Sequence, residues 1–322
     1  MHKKILIGII SGIAVLCIAG AIIFLQVNGS EAGNNVNHSE NSGKTPKVAD
    51  DVIDTEDSGG FYKLYSDLIY TEIAGVDSNL ISLDIYTPGS DKKHPIMVFI
   101  HGGGWKTGDK ANVKYKPEAF TSKGYIFVSI NYRLSPAVQH PVHVQDVASA
   151  LSWLYHNADN YSGNPAHMVI MGHSAGAHLA ALVATDDSYL KEKDLTPGIL
   201  SGVVLLDGAG YDIPRLMGFN EKIYGPLYEP AFGKDNATWT NASPVTHVAV
   251  GKDIPPFLLI YVGNRIASKF ESNWLAQELQ EAGVSAEVIC AQDKTHKTLN
   301  QELGEPGDEI TGKIFDFLDK FN

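Results

Sequence analysis

Only two cysteines occur in 322 residues, Cys17 and Cys290. One lies in an apolar stretch and the other stands alone downstream, so neither a disulfide framework nor a cysteine-built zinc or redox site is expected. Cations are also scarce, with 25 Lys and Arg against 37 Asp and Glu and a formal net charge of −12. So acidic a chain lacks the electrostatic footprint of a nucleic-acid binder. No internal repeat is visible. His140 and His143 sit three residues apart at the start of a helical pattern. No carboxylate or cysteine completes a ligand set there, so no metal and no cofactor is expected.

The chain does contain one long apolar run. After His2-Lys3-Lys4, residues Ile5 to Val27 carry no charge, and Ser11 and Gln26 are the strongly polar side chains. As a helix the run covers about 34 Å, enough for a bilayer core of about 30 Å. It is longer than the apolar core of a cleaved signal, and it ends in Phe24-Leu25-Gln26-Val27 without an A-x-A pattern. The reading for 1–27 is an uncleaved signal anchor, with a long cleaved signal peptide as the alternative. Lysines before the run place the remainder outside the cytoplasm; cleavage would make it secreted. Residues 28–60 are Asn, Ser, Gly, Glu, Asp and Lys with little apolar content, which reads as a disordered tether.

Residues 61–322 fit one α/β domain. Strand signals fall at 68–72, 80–86, 96–101, 125–131, 167–171, 202–206, 257–262 and 286–290. Helical patterns lie at 116–122, 142–157, 175–185, 270–282 and 308–320. Strands alternating with helices predict a mostly parallel eight-stranded sheet with helices on both faces. The stretch 211–250, with several Gly and Pro, breaks the alternation and reads as a small cap.

Gly172-His173-Ser174-Ala175-Gly176 fits G-x-S-x-G between the apolar run Met168–Met171 and an alanine- and leucine-rich helix. A serine at such a turn is held in a strained conformation with its Oγ at the sheet's C-terminal edge. His101-Gly102-Gly103-Gly104-Trp105 follows the apolar run Ile96–Ile100. Glycines let a backbone approach closely, so N–H groups of Gly103 and Gly104, with that of Ala175, are placed to receive an oxyanion.

His101–Trp105, Asn131-Tyr132-Arg133-Leu134-Ser135-Pro136, Asp146 and Gly172–Gly176 together resemble the carboxylesterase/lipase branch of the α/β-hydrolase superfamily, in the group with an HGGG-type loop. The resemblance covers roughly residues 61–322 and implies the α/β-hydrolase fold and a reaction class, without a substrate. It also suggests that Arg133 and Asp146 form a structural pair.

Hydrolases of this kind place the acid and then the base after the nucleophile. Of the downstream histidines, His178 lies one turn into the helix after Ser174 and His247 falls in the cap. His296 lies between the last strand and the last helix, at the sheet edge of Ser174, and Thr295–Asn300 resembles the family's His loop. His296 is therefore the expected base. The strand ending at Val262, which carries the acid in many relatives, is followed by Gly263-Asn264-Arg265-Ile266, a departure from the pattern. Asp207 after the preceding strand is the leading acid, with Glu271 and Asp212 as alternatives. His101 is expected to orient the glycine loop, and Trp105 to line the pocket mouth or pack.

These residues predict a serine hydrolase that cleaves carboxylic esters through an acyl-enzyme. Its expected partners are a small-molecule ester, of short-chain or saccharide type, and a membrane at the N-terminal segment. The alternatives are an amide or peptide hydrolase of arylformamidase type and a non-catalytic α/β-hydrolase-fold binding protein.

Overall fold

The computed structural model describes residues 62–90 and 92–321. The expected anchor and tether, 1–27 and 28–60, lie outside these residues. Eight strands form one sheet: β1 (Tyr62–Ile69), β2 (Ser82–Pro88), β3 (His94–Ile100), β4 (Ile126–Ile130), β5 (Gly163–His173), β6 (Leu200–Leu206), β7 (Phe257–Val262) and β8 (Ala286–Ala291). Their order is β1-β2-β4-β3-β5-β6-β7-β8. β2 runs antiparallel to β1 and β4, and every other pair is parallel.

The central strands are buried on both faces, which explains their continuous apolar runs. Helices α1 (Lys116–Ser122), α2 (Val142–Asn157), α3 (Ala175–Thr185), α4 (Ser188–Lys191), α5 (Ile213–Phe232), α6 (Asn236–Asn241), α7 (Ile266–Glu281), α8 (His296–Gln301) and α9 (Glu309–Leu318) cover it. The core divides into two clusters, one on each face. All eleven residues of α3 are buried, so its sequence is apolar all round rather than amphipathic.

The first strand differs from expectation, running 62–69 rather than 68–72. It is a half-buried edge strand whose apolar alternation is interrupted by Ser66 and Asp67, and its register breaks between Tyr65 and Leu68. Segment 211–250 is mainly helical. Asp212 caps α5 by accepting the Arg215 N–H at 3.2 Å. Within α5 the backbone breaks at Asn220 (φ −163°, ψ 88°), and Pro226 and Pro230 lie beyond. Buried Tyr228 and Phe232 pack on Trp105 at ring separations of 5.3 and 4.8 Å, which lays α5 against the glycine loop. Among the described residues no helix is long and apolar enough to cross a membrane.

Candidate active site

β5 ends at His173, and Ser174 turns the chain into α3 with φ 55° and ψ −117°, a strained backbone for a residue with a Cβ. Its N–H is held by the Leu206 carbonyl at 2.9 Å. The flanking glycines are sterically required: a Cβ on Gly172 would strike the Gly176 backbone, and one on Gly176 would strike the Ile100 and His101 carbonyls.

The glycine loop leaves β3 and presses on this elbow. A Cβ on Gly102 would sit 3.0 Å from the Ser174 Cβ. Gly103 and Gly104 have φ of 124° and 60°, and the Gly103 carbonyl accepts the N–H groups of Lys106 and Thr107, each at 3.1 Å. Among the described residues the N–H groups of Gly103 and Gly104 donate to no protein acceptor. They remain available as donors beside Ser174.

The 131–146 stretch holds this loop. Asn131 Oδ1 accepts the Lys110 N–H at 2.7 Å, and Tyr132 Oη donates to the His101 carbonyl at 3.1 Å. The Tyr132 ring stacks on that of His101 at 4.5 Å. His101 donates from Nδ1 to the Gly102 carbonyl at 2.8 Å, and burial lowers its pKa, favouring the neutral ring. Arg133 and Asp146 form the expected pair, with Nε–Oδ2 at 2.8 Å and Nη2–Oδ1 at 2.7 Å. Trp105 is 2 % exposed, so of its two expected roles it takes packing.

Asp207 and His296 come together from the ends of β6 and β8. His296 opens α8, whose capping box pairs Thr295 and Thr298. Its Nδ1 lies 2.6 Å from Asp207 Oδ2. A proton on Nδ1 serves this bond and leaves Nε2 as the ring's acceptor. Asp207 is fully buried, and its Oδ1 accepts the Val262 N–H at 3.2 Å. Burial alone would raise its pKa; the His296 hydrogen bond and the Arg265 guanidinium outweigh it and hold the carboxyl well below the usual range.

The alternative acids lie elsewhere. Glu271 turns its Oε2 toward the 210–212 bend, accepting the N–H groups of Tyr211 at 2.9 Å and Asp212 at 3.1 Å. Burial pushes its pKa up to about 7. Asp212 is the cap of α5. Among the other histidines, His178 is buried and bound to the Ala242 carbonyl at 2.7 Å, with its pKa lowered to about 3 by burial. His247 Nε2 meets the Asn241 carbonyl. His140 and His143 meet Asn241 Oδ1 and Ser135 Oγ respectively. Among the described residues no cluster of three or more His, Cys, Asp or Glu could hold a metal.

Three contributors escape the sequence reading. Arg265 Nη1 donates to Asp207 Oδ2 at 2.6 Å and lies 2.6 Å from His296 Nδ1, so the guanidinium and the His296 ring share that one carboxylate oxygen. His173 donates from Nε2 to the His296 carbonyl at 2.9 Å, with the two rings 4.5 Å apart. Burial lowers the His173 pKa to about 3, so it is a fixed neutral donor. Buried Lys116 donates to the Asn300 carbonyl at 2.6 Å, bracing α8, and burial followed by the Lys114 charge lowers its pKa to about 7. Only position offered a signal: Arg265 lies where an acid was sought, and His173 is the variable residue of the elbow motif.

Beside the elbow lies a cavity of about 300 Å³. Its side chains are polar, from His101, Asp109, Asn112, Lys114, Asn300 and Gln301, with His173 at its inner wall. Asn300 Oδ1 is buried without a hydrogen-bond partner among the described residues.

Comparisons with known proteins find esterases and related hydrolases. The BD-FAE family model matches residues 83–198. A probable carboxylic ester hydrolase, LipM of Mycobacterium tuberculosis, is 34% identical over 179 residues, 53% of this chain and 41% of that one. A kynurenine formamidase of Meyerozyma guilliermondii is 36% identical over 157 residues, 48% of this chain and 57% of that one. The chain spans about half the length of the curated relatives it matches. Among solved structures, an inhibited esterase B from Lactobacillus rhamnosis has a TM-score of 0.66 at 25% identity, covering 80% of this chain and 88% of that one. A truncated carbohydrate esterase from gut microbiota has a TM-score of 0.66 at 19% identity, covering 80% and 95%, and shares the fold.

Proposed function

We infer that this chain, which belongs to the α/β-hydrolase superfamily on its carboxylesterase branch, is a serine hydrolase of carboxylic esters. The observation that carries this most is the hydrogen bond between buried Asp207 and partly exposed His296 at the sheet edge where the Ser174 elbow lies. His296 Nε2 removes the Ser174 proton, Oγ attacks the ester carbonyl, and N–H groups of Gly103, Gly104 and Ala175 receive the oxyanion. Protonated His296 then delivers the proton to the leaving alcohol. Water repeats the sequence on the acyl-enzyme, releasing the acid and restoring Ser174. Asp207 fixes the Nδ1–H tautomer and stabilises the imidazolium without taking the proton. Helices α5 and α6 act as the cap over this site. Asp109, Asn112, Asn300 and Gln301 at the cavity beside the elbow support esters of short-chain or saccharide type as the substrate class.

Amide hydrolysis of the arylformamidase kind is the second reading, favoured by the 36% identity to a kynurenine formamidase. Both use the same acyl-enzyme and differ in the leaving group. Attachment through 5–27, with the domain outside the cytoplasm, remains our reading of the sequence. Hydrolysis of p-nitrophenyl acetate, butyrate and octanoate, beside an N-formyl arylamine, tests the assignment. Ester turnover absent from Ser174→Ala is the expected result. Turnover confined to the formyl amide would move the assignment to the second reading, and none on either would leave a binding protein.

A further inference from the structure

Asp207 is fully buried, and the His296 ring, neutral when it acts as a base, cannot balance its charge. The balancing charge comes from the next strand end. β7 stops at Val262, and Gly263-Asn264-Arg265 leads into α7. The Arg265 backbone is fixed on both sides: its N–H donates to the Val262 carbonyl at 3.2 Å, and its carbonyl accepts the Lys269 N–H at 3.0 Å. From there the side chain reaches across to the end of β6. It is 35% exposed, so solvent has access to the guanidinium. Among the described residues no Lys and no other Arg pairs with the Asp207 carboxylate.

Nη1 carries two hydrogens and meets two acceptors on Asp207, the backbone carbonyl at 3.1 Å and Oδ2 at 2.6 Å. Asp207 has φ 47°, in the left-handed region that few residues with a side chain occupy. One nitrogen bonded to both its main chain and its carboxylate holds that conformation and aims Oδ2 at the ring. Both Nη1 hydrogens are spent on Asp207. The 2.6 Å approach to His296 Nδ1 therefore brings a cation beside the ring but no donor into it. Nδ1 keeps its own proton for Oδ2, 2.6 Å away, and Nε2 stays free to accept from Ser174.

We propose that Arg265 is a positioning residue of the hydrolase: by clamping Asp207 in its left-handed conformation and balancing its charge at rest, it sets the His296 tautomer that can deprotonate Ser174. Arg265 acts through Asp207 alone. The turnover arm of the test rests on the serine-hydrolase assignment; the tautomer arm does not.

Full-length wild type, Arg265→Gln, Asp207→Asn and the double variant are compared on p-nitrophenyl acetate. Arg265→Gln should lower kcat about thirtyfold with KM within about twofold. In the Asp207→Asn chain the same substitution should cost less than about twofold, because the clamp has no carboxylate left to hold. Arg265→Ala, whose missing group is open to solvent, should regain about tenfold in millimolar guanidinium, and sodium chloride at equal strength should not replace it. Magnetic resonance of isotope-labelled ring nitrogens, with His296 assigned by its absence from His296→Ala, should show Nδ1 protonated in wild type and mixed tautomers in Arg265→Gln. An equal loss from Arg265→Gln in both backgrounds, a loss carried by KM, rescue by sodium chloride alike, or an unchanged His296 tautomer overturns the proposal. If Arg265→Gln does not fold, Arg265→Lys, which keeps the cation without the fork, carries the same comparison. Absent wild-type turnover with a tautomer that still responds to Arg265 preserves the clamp and removes the hydrolase assignment.

Discussion

The strand-edge side of the site and its helical flank are built in opposite ways. Ser174, Asp207 and His296 stand at the ends of β5, β6 and β8, on backbone tied into the central sheet. Asp207 is fully buried and hydrogen-bonded on both oxygens. The flank is α5, broken at Asn220, with Phe219, Ile223 and Leu227 turned to solvent. On the proposed mechanism, chemistry that needs sub-ångström placement falls to the sheet, and contacts that choose a substrate fall to a surface helix. Substitutions on the sheet side should therefore lower kcat on every ester, and those on the flank should act differently from one ester to another.

The sharpest break comes from Ser174→Ala, expected to lower kcat by about 10⁶ on acetate and octanoate alike, the scale known for a serine-protease nucleophile. A drop confined to one ester in steady-state kinetics would contradict the division. Asp207→Asn follows, at about 10⁴ through loss of the productive His296 tautomer. Near-normal turnover by that variant would remove Asp207 from the triad.

Glu271 joins the two regions, holding the 210–212 bend that leads from Asp207 into α5. Its native pKa is raised from its ordinary 4.5 to about 7. The native state thus binds more protons than the unfolded chain across that window. Stability falls as pH rises through it, by about 3 kcal/mol in all, and is fully regained below the unfolded value. Glu271→Gln should be more stable than wild type in urea at pH 8, with the gap closing toward pH 4.5. A gap of constant size would show that Glu271 does not titrate there.

His173→Phe keeps the ring but removes the donor to the His296 carbonyl. We expect kcat about tenfold lower with KM unchanged, from a loosened base. A KM effect alone would place His173 with substrate binding. The smallest effects belong to the flanks. Leu227→Ala should raise KM a few-fold for octanoate over acetate, and Asn112→Ala a few-fold for a sugar acetate over butyl acetate. Uniform changes across these pairs would erase the contrast between the two sides.

The elbow and glycine loop were legible because their signal is local: a strand, a turn that only glycine permits, and a helix within about fifteen residues. Most strands and helices were placed to within a few residues for the same reason, through apolar runs long enough to show a period. In the sequence Asp207 is only the leading acid of three, because Glu271 and Asp212 also satisfy chain order and the contact between residues 207 and 296 is not visible there. Arg265 and Lys116 were invisible for the same reason, each acting on a partner distant in sequence. Helix α5 was hidden by Gly218, Gly225, Pro226 and Pro230, which weaken the helical pattern. Tyr228 and Phe232 packed on Trp105 hold it regardless. The edge strand β1 was misplaced because half-buried residues have no clean alternation.

Covalent capture tests the central claim most directly. A fluorophosphonate reacts with an activated serine, forming a phosphorus–oxygen bond to Oγ as fluoride leaves. The intact mass of the wild-type chain should rise by one adduct, mapped to Ser174, while Ser174→Ala and His296→Ala stay unmodified. An unmodified wild type with its native fold intact, or a Ser174→Ala chain labelled as fast as wild type, would contradict the acyl-enzyme mechanism.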